Sequence, residues 1–249
     1  MPTHPPAAEL RYLSEILREF VAYQRRLGLQ WLEGSLQPPK SMLTELLKPD
    51  SAQPTLPPEP ASTLSLAEIR QAMGDCRRCK LWKTRTQLVF GTGNLKARLM
   101  FIGEAPGAEE DQQGEPFVGA AGQLLNRLLA RLGLSREEVY ITNIVKCRPP
   151  NNRNPDAEEI ATCRPFLVQQ IQAIHPQVIV TLGAVATHAL LESKAPLNRL
   201  RGHWQIWQGF PVMPTFHPSY LLRVPQDRIK TWEDMQQVLA VYRGDAKVG

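Results

Sequence analysis

Residues 98–122 read RLMFIGEAPGAEEDQQGEPFVGAAG, and this stretch decides the fold class. Leu99, Met100, Phe101 and Ile102 form a short apolar run, the pattern of a strand buried on both faces. The run stops at Gly103, and Glu104 stands at the strand's carboxyl end. A turn with Pro106 and Gly107 follows, then the acidic cluster Glu109, Glu110 and Asp111, then Pro116-Phe117-Val118-Gly119. Residues 121–132 read as a helix. In an open α/β sheet, ligands bind in the crevice beyond the carboxyl ends of the strands. The stretch therefore puts an acid and an aromatic ring where a small planar ligand would sit. Its glycines spell neither GxGxxG nor a lysine-bearing phosphate loop. Taken alone, they read equally well as turn residues, with Phe117 as core. The acidic cluster lacks a partner carboxylate nearby in sequence and reads as solvated, or as capping the helix that follows.

Working outward, the chain alternates. Helices are expected at 66–73, 155–174, 184–191 and 232–242, and strands at 99–102, 139–145, 177–182 and 212–214. Such alternation predicts an α/β fold, a three-layer α/β/α sandwich around a central, mostly parallel four-stranded sheet. Ahead of it, Leu10, Leu13, Leu17, Phe20, Leu27 and Trp31 form one apolar stripe at helical spacing, with Arg11, Arg18, Arg25 and Arg26 between them. Then Pro38, Pro39, Pro49, Pro54, Pro57, Pro58 and Pro60 rule out a continuous helix or an inner strand. The expected organisation is an N-terminal amphipathic helical extension at 1–33, a proline-rich, semi-rigid linker at 34–64 and the main domain at 65–245. The extension is expected to bind a protein partner or to fold back onto the core.

The 249 residues, 43% hydrophobic, allow one medium domain with an appendage or two small ones. Lys and Arg outnumber Asp and Glu 29 to 24. That mild excess permits a nucleic-acid partner without demanding one. No apolar run approaches the ~20 residues of a membrane span. The opening MPTHPPAAEL lacks the basic and apolar regions of a signal peptide, so a cytoplasmic location is expected, where disulfides do not persist.

Four cysteines fall in the main domain: Cys76-x2-Cys79, Cys147 and Cys163. Their number suits a zinc ion or an iron–sulfur cluster, and thiolate count does not separate the two. The long gap between Cys79 and Cys147 departs from compact zinc ribbons. A thioredoxin-like pair fits poorly, because Cys76 follows a helix and not a strand. Arg77, Arg78, Lys80, Lys146, Arg148 and Arg164 flank the sulfurs, either to offset negative charge or to face phosphates. The favoured reading is a structural cluster that ties two loops together beside a nucleic-acid groove.

Three segments, GEAPGAEEDQQGEPFVG at 103–119, ITNIVKCRPPNNR at 141–153 and HPSYLLR at 217–223, join the cysteine pattern. In order and wording they resemble the iron–sulfur uracil-DNA glycosylases, family four of the uracil-DNA glycosylase superfamily, over residues 65–245. The resemblance implies a DNA-repair enzyme that flips uracil out of DNA and hydrolyses its N-glycosidic bond, leaving an abasic site. It implies catalytic roles for Glu104, Asn143 and His217, and a uracil pocket made by these with Ala105 and Phe117. Asn143 both donates and accepts, which suits O4 and N3–H of uracil. Phe117 stacks on the ring and helps to exclude a bulky C5 substituent. His217 donates to uracil O2 as negative charge builds there, the Ala105 N–H borders the base edge, and Glu104 either activates water or offsets the cationic sugar. Tyr220, Leu222 and Arg223 are expected to contact DNA, with Leu222 as the wedge and Arg223 on phosphate. Cys76, Cys79, Cys147 and Cys163 are expected to hold a 4Fe-4S cluster, with zinc as the alternative occupant.

The implied partner is uracil-containing DNA, single- or double-stranded. A monomer is expected, in the cytoplasm with the nucleoid and apart from membranes. Singly, Asn143 reads as a strand-end cap, His217 as a loop histidine, and Leu221 and Leu222 as core; jointly, they match the family's order. His4, His175, His188 and His203 read as structural. A related superfamily member traps DNA through a histidine in an inserted loop; residues 148–162 contain no histidine, so turnover is expected. The alternative function is a non-catalytic iron–sulfur DNA-binding module of a repair or replication complex. Convergence of an acid, an amide and an imidazole argues against it. A nucleotide-binding redox protein would need the phosphate loop that the chain lacks.

Overall fold

The computed structural model describes residues 64–248; the expected helical extension and most of the linker lie outside them. Helix α1 (Leu66–Met73) opens with a capping box, in which the Glu68 backbone N–H donates to Ser65 Oγ and the Ser65 N–H to Glu68. A six-stranded sheet follows, in the order β1-β3-β2-β4-β6-β5. Its centre is the expected parallel set: β2 (Leu99–Gly103), β3 (Tyr140–Asn143), β4 (Val178–Leu182) and β6 (Phe210–Thr215). The expected strand count of four is corrected to six. β1 (Thr92–Gly93) and β5 (Gln205–Trp207) pair antiparallel at the two edges and are too short to show a period.

Alternation along the strands builds the layers. Met100 and Ile102 of β2 join a core with Leu167, Ile171 and Leu190, from α4 (Ala157–Ile174) and α5 (Ala184–Leu191). Leu99 and Phe101 face the other way, onto Leu125 and Leu129 of α3 (Ala120–Arg131) and Met235 and Val238 of α8 (Arg228–Arg243). The result is the expected three-layer α/β/α sandwich. Between these lie three short helices, α2 (Ala108–Gln113), α6 (Leu197–Leu200) and α7 (Pro218–Arg223). β3 is shorter than the apolar run 139–145 suggests. Past Asn143 the backbone leaves the ladder, though Ile144 N–H still donates to the Gly103 carbonyl at 2.9 Å.

The chain leaves β2 toward β3 and leaves β4 toward β6, so loops at their carboxyl ends diverge. That divergence opens the crevice in which a ligand sits. No helix among the described residues is long and apolar enough to cross a membrane.

Candidate active site and cysteine cavity

A cleft of about 720 Å³ opens at the carboxyl ends of all four parallel strands. β2 supplies Glu104 and Ala105, β3 supplies Asn143, β4 supplies Gly183, and β6 leads to His217. Phe117 forms another wall, and Tyr220, Leu222 and Arg223 stand along the rim. The three sequence segments, far apart in the chain, thus meet at one place.

Asn143 is 1% exposed, and its Oδ1 accepts no hydrogen bond from the described residues. A buried acceptor without a partner costs roughly 1–3 kcal/mol, so the site is built for a donor that arrives with a ligand. Oδ1 lies over Gly103, where a Cβ would stand 2.4 Å from it and 2.5 Å from Phe117 Cζ. Only glycine lets both side chains close on this strand end.

Phe117 has left-handed backbone (φ 54°), a conformation that a bulky side chain adopts only under restraint. The restraint is visible on both sides. Arg136 donates to the carbonyls of Pro116 and Phe117 at 2.7 and 3.0 Å. Glu110 accepts from the N–H groups of Val118, Gly119 and Gly107 at 2.9–3.0 Å. The Phe117 ring then lies 5.6 Å from the His217 ring, tilted by 37°.

His217 Nδ1 accepts from the Ser219 backbone N–H at 3.1 Å, with Ser219 Oγ 2.7 Å away. A backbone N–H only donates, so Nδ1 carries the lone pair and the neutral ring's proton sits on Nε2. Burial, with help from the Arg223 charge, depresses the imidazole to about 4. The ring is therefore neutral at pH 7 and still a donor. Behind it, Gly183 (φ 91°) leaves room that a Cβ, 2.9 Å from His217 Cβ, would take. Glu104 is half-buried; burial raises its carboxyl above the ordinary range, and its side chain makes no hydrogen bond to the described residues.

A sequence model of the Uracil DNA glycosylase superfamily matches residues 90–240. The chain belongs to that superfamily. It is 48% identical over 179 residues to a type-4 uracil-DNA glycosylase of Saccharolobus solfataricus, covering 68% of this chain and 83% of the relative. It is 51% identical over 157 residues to a type-4 uracil-DNA glycosylase of Thermotoga maritima, covering 62% and 82%. A type-5 uracil-DNA glycosylase of Pyrobaculum aerophilum shares 33% over 198 residues, covering 73% and 86%.

One rim of the cleft is α7, whose two leucines differ. Leu221 is buried, whereas Leu222 is 38% exposed beside the cleft. Arg223 is exposed and makes no ion pair among the described residues. Tyr220 is tied back, its hydroxyl donating to Asp227 at 2.6 Å and its ring lying 5.0 Å from Phe216. The acidic cluster forms α2, and of its two readings capping holds for Glu110, which accepts from the N–H of Gly119, the N-cap of α3; Asp111 is buried too and accepts from the Thr86 and Gln87 N–H groups, while Glu109 is exposed. Glu110, Arg136 and Ser219 escaped the sequence reading as site residues. Glu110 had a signal, since it follows Gly107 at capping-box spacing; Arg136 had none.

Cys76, Cys79, Cys147 and Cys163 line one small cavity with Met73, Leu88, Phe166 and Lys146. No three described His, Cys, Asp or Glu side chains close around a point as one metal ion requires. Arg85 donates to Cys147 Sγ at 3.1 Å and Arg78 to Cys76 Sγ at 3.2 Å. Burial pushes the Cys79 and Cys163 thiols up and Cys147 to about 11, so thiolates here need cationic compensation. An all-sulfur donor set in apolar surroundings, with guanidinium groups aimed at it, fits a thiolate-held cluster. The other flanking cations are engaged elsewhere: Arg77 with Asp75, Lys80 with Asp156, Arg164 with Glu192 and Arg148 with Asn152.

Proposed function

We propose that this chain is an iron–sulfur uracil-DNA glycosylase whose residues act as follows. The observation that carries the reading is the orphaned Asn143 Oδ1 in the same cleft as Phe117 and a neutral His217. Uracil in its extrahelical form brings the missing donor, N3–H, to Oδ1, while O4 accepts from the amide. Cytosine presents an acceptor at N3 and is refused. Phe117 covers the base face, worth ~1–3 kcal/mol in nucleic-acid sites.

As the bond from N1 to the sugar breaks, charge accumulates on O2 of the leaving base. The Nε2–H of His217 donates there, and the Ala105 N–H adds a contact to the base edge. A well-aimed donor of this kind contributes ~2.7–4 kcal/mol. Because the ring stays neutral, its proton is shared with O2 and not transferred in a prior step. Glu104, with raised proton affinity and no donor among the described residues, is suited to hold the attacking water and take its proton. Leu222 fills the space behind the displaced base, Arg223 meets phosphate, and Tyr220 braces the helix that carries both.

Cys76, Cys79, Cys147 and Cys163 hold the cluster in this reading. Bound there, a 4Fe-4S group supplies a fixed anchor between the 76–79 loop and α4. A monomer acting on DNA in the cytoplasm belongs to the same proposal. A non-catalytic DNA-binding module is not favoured, since mere binding leaves the paired amide, acid and imidazole without a task.

The test is excision from a labelled uracil-containing oligonucleotide, read as alkali-sensitive strand scission, beside Glu104→Gln and His217→Ala. Scission at uracil that both variants slow supports the assignment. An intact strand from iron-loaded wild type, with DNA binding retained, overturns it.

A further inference from the structure

Lys146 is 1% exposed and lies between the two sites. Its Nζ donates to Thr142 Oγ1 at 2.5 Å, to the Asn143 carbonyl at 2.7 Å and to Gln170 Oε1 at 2.6 Å. Those three bonds use every proton of the ammonium group, and all three acceptors are neutral. Thr142 and Gln170 are themselves pinned, since Thr142 Oγ1 and Gln170 Nε2 both donate to the Phe90 carbonyl. No carboxylate forms an ion pair with Lys146 among the described residues, and its three hydrogen-bond partners are all uncharged. Lys146 also lines the cysteine cavity. A buried cation held only by neutral acceptors is costly unless a counter-charge lies close. The groups lining the same cavity that become negative on binding a metal are the four cysteine sulfurs.

We propose that Lys146 is a positioning residue: its ammonium is the counter-charge of the cysteine-held cluster, and its bond to the Asn143 carbonyl couples that cluster to the amide that reads the base. The inference rests on the iron–sulfur reading above. One group thus does two things. Its charge offsets the net negative thiolate cluster, and its hydrogen bonds hold the carboxyl end of β3, from which Asn143 enters the cleft. Neither Arg78 nor Arg85 can substitute, because both approach the sulfurs from the far loop and touch nothing on β3.

The experiment uses full-length protein as purified, beside Lys146→Met and Lys146→Arg. Three quantities are measured: iron and sulfide per chain, the midpoint potential of the cluster by direct electrochemistry, and kcat and KM on a uracil-containing single strand. Removing a positive charge beside the cluster disfavours adding an electron, so the Met variant is expected at a lower potential than wild type. Its kcat is expected to fall ~10–100-fold, as for other partners that orient a working ligand, with KM changed much less. The Arg variant keeps the charge and is expected to keep iron and potential while losing kcat, since a planar fork does not reproduce the three-point hold.

An iron-loaded Met variant with wild-type potential, or with wild-type kcat, overturns the proposal. If the Met variant folds without iron, the Arg variant decides: iron retained with lowered kcat supports the coupling, whereas wild-type kcat, or a folded Arg variant that also lacks iron, overturns it. Zinc or no metal in the wild type instead overturns the iron–sulfur reading, and is seen before any variant is compared.

Discussion

Replacing Gly103 with alanine tests the pocket without touching a reacting group. An added Cβ would lie 2.4 Å from Asn143 Oδ1, 2.5 Å from Phe117 Cζ and 2.6 Å from Phe117 Cε2, each far inside contact distance. Gly103 pairs with Asn143 across β2 and β3, so the strand itself has little freedom to retreat. Phe117 is clamped by Arg136 and Glu110, so it too has little room. The strain of such overpacking is about 1–3 kcal/mol, leaving a folded protein. The functional cost is larger. Displacing the amide forfeits a hydrogen bond to a buried acceptor, and shifting the ring forfeits part of the stacking. Together these amount to roughly 2–4 kcal/mol, or about 30- to 1,000-fold in kcat/KM. Single-turnover excision, with thermal unfolding run in parallel, reads both quantities. A variant within about threefold of wild type in kcat/KM would refute the geometry, because the pocket would then tolerate a methyl group where none fits.

Four further outcomes follow from the same structure. Leu222→Ala leaves stability within about 0.5 kcal/mol, since the side chain is exposed, but lowers excision from duplex about tenfold and from single strands far less, because only the duplex needs a wedge; equal losses on both refute the role. His217 titrates near 4 when folded against an ordinary 6.5, so the unfolded chain binds its proton more readily between those values. Stability therefore rises with pH across that window, by at most ~3 kcal/mol, and His217→Gln flattens this part of the urea-unfolding profile; an unchanged slope counts against a buried neutral ring. Arg136→Leu costs about 1–3 kcal/mol and less in a Phe117→Gly background, where the left-handed backbone needs no restraint; identical thermal shifts in both backgrounds refute the clamp. Cys163→Ser is expected to lose hydrogen-exchange protection in 144–163 while β2 and β4 stay protected; uniform loss across the sheet would mean a global role.

How far the sequence reached depends on which interactions are local. β2, α1 and α5 were legible because their apolar residues announce them within a few positions. Glu104, Asn143 and His217 were legible as motif residues at strand ends, and the parallel order of β3, β2, β4 and β6 brings them into one cleft. The edge strands were not legible, since two or three residues carry no period. Glu110 was legible as a capping candidate three residues after Gly107, but nothing local says that the same carboxylate also collects the Val118 and Gly119 N–H groups. Arg136 was hidden because it acts on backbone carbonyls that only the folded chain brings near, and Lys146 was legible as a cation flanking the sulfurs but not as a donor to Gln170, which the fold brings from α4.

The connection from β3 to α4 explains why the cleft and the cysteines share one segment. Asn143 begins it, Cys147 follows, Asn152 and Arg153 return to line the cleft, and Cys163 lies on the helix beyond. Between Asn143 and Ala157 only Pro150–Asn152 form a turn of helix, and Asn151 and Asn152 there have left-handed backbone. Long irregular connections are costly to order, at about 1–2 kcal/mol per residue fixed. The protein's own ties gather at the two ends: Lys146 is held by Thr142, Asn143 and Gln170 at one, and at the other Glu159, 1% exposed, holds Arg153 through two bonds of 2.7 and 2.9 Å. A group bound to Cys147 and Cys163 would fix both ends of the segment to the 76–79 loop at once. That makes the cysteine cavity a support for the cleft wall, and the base-reading amide sits where the support begins.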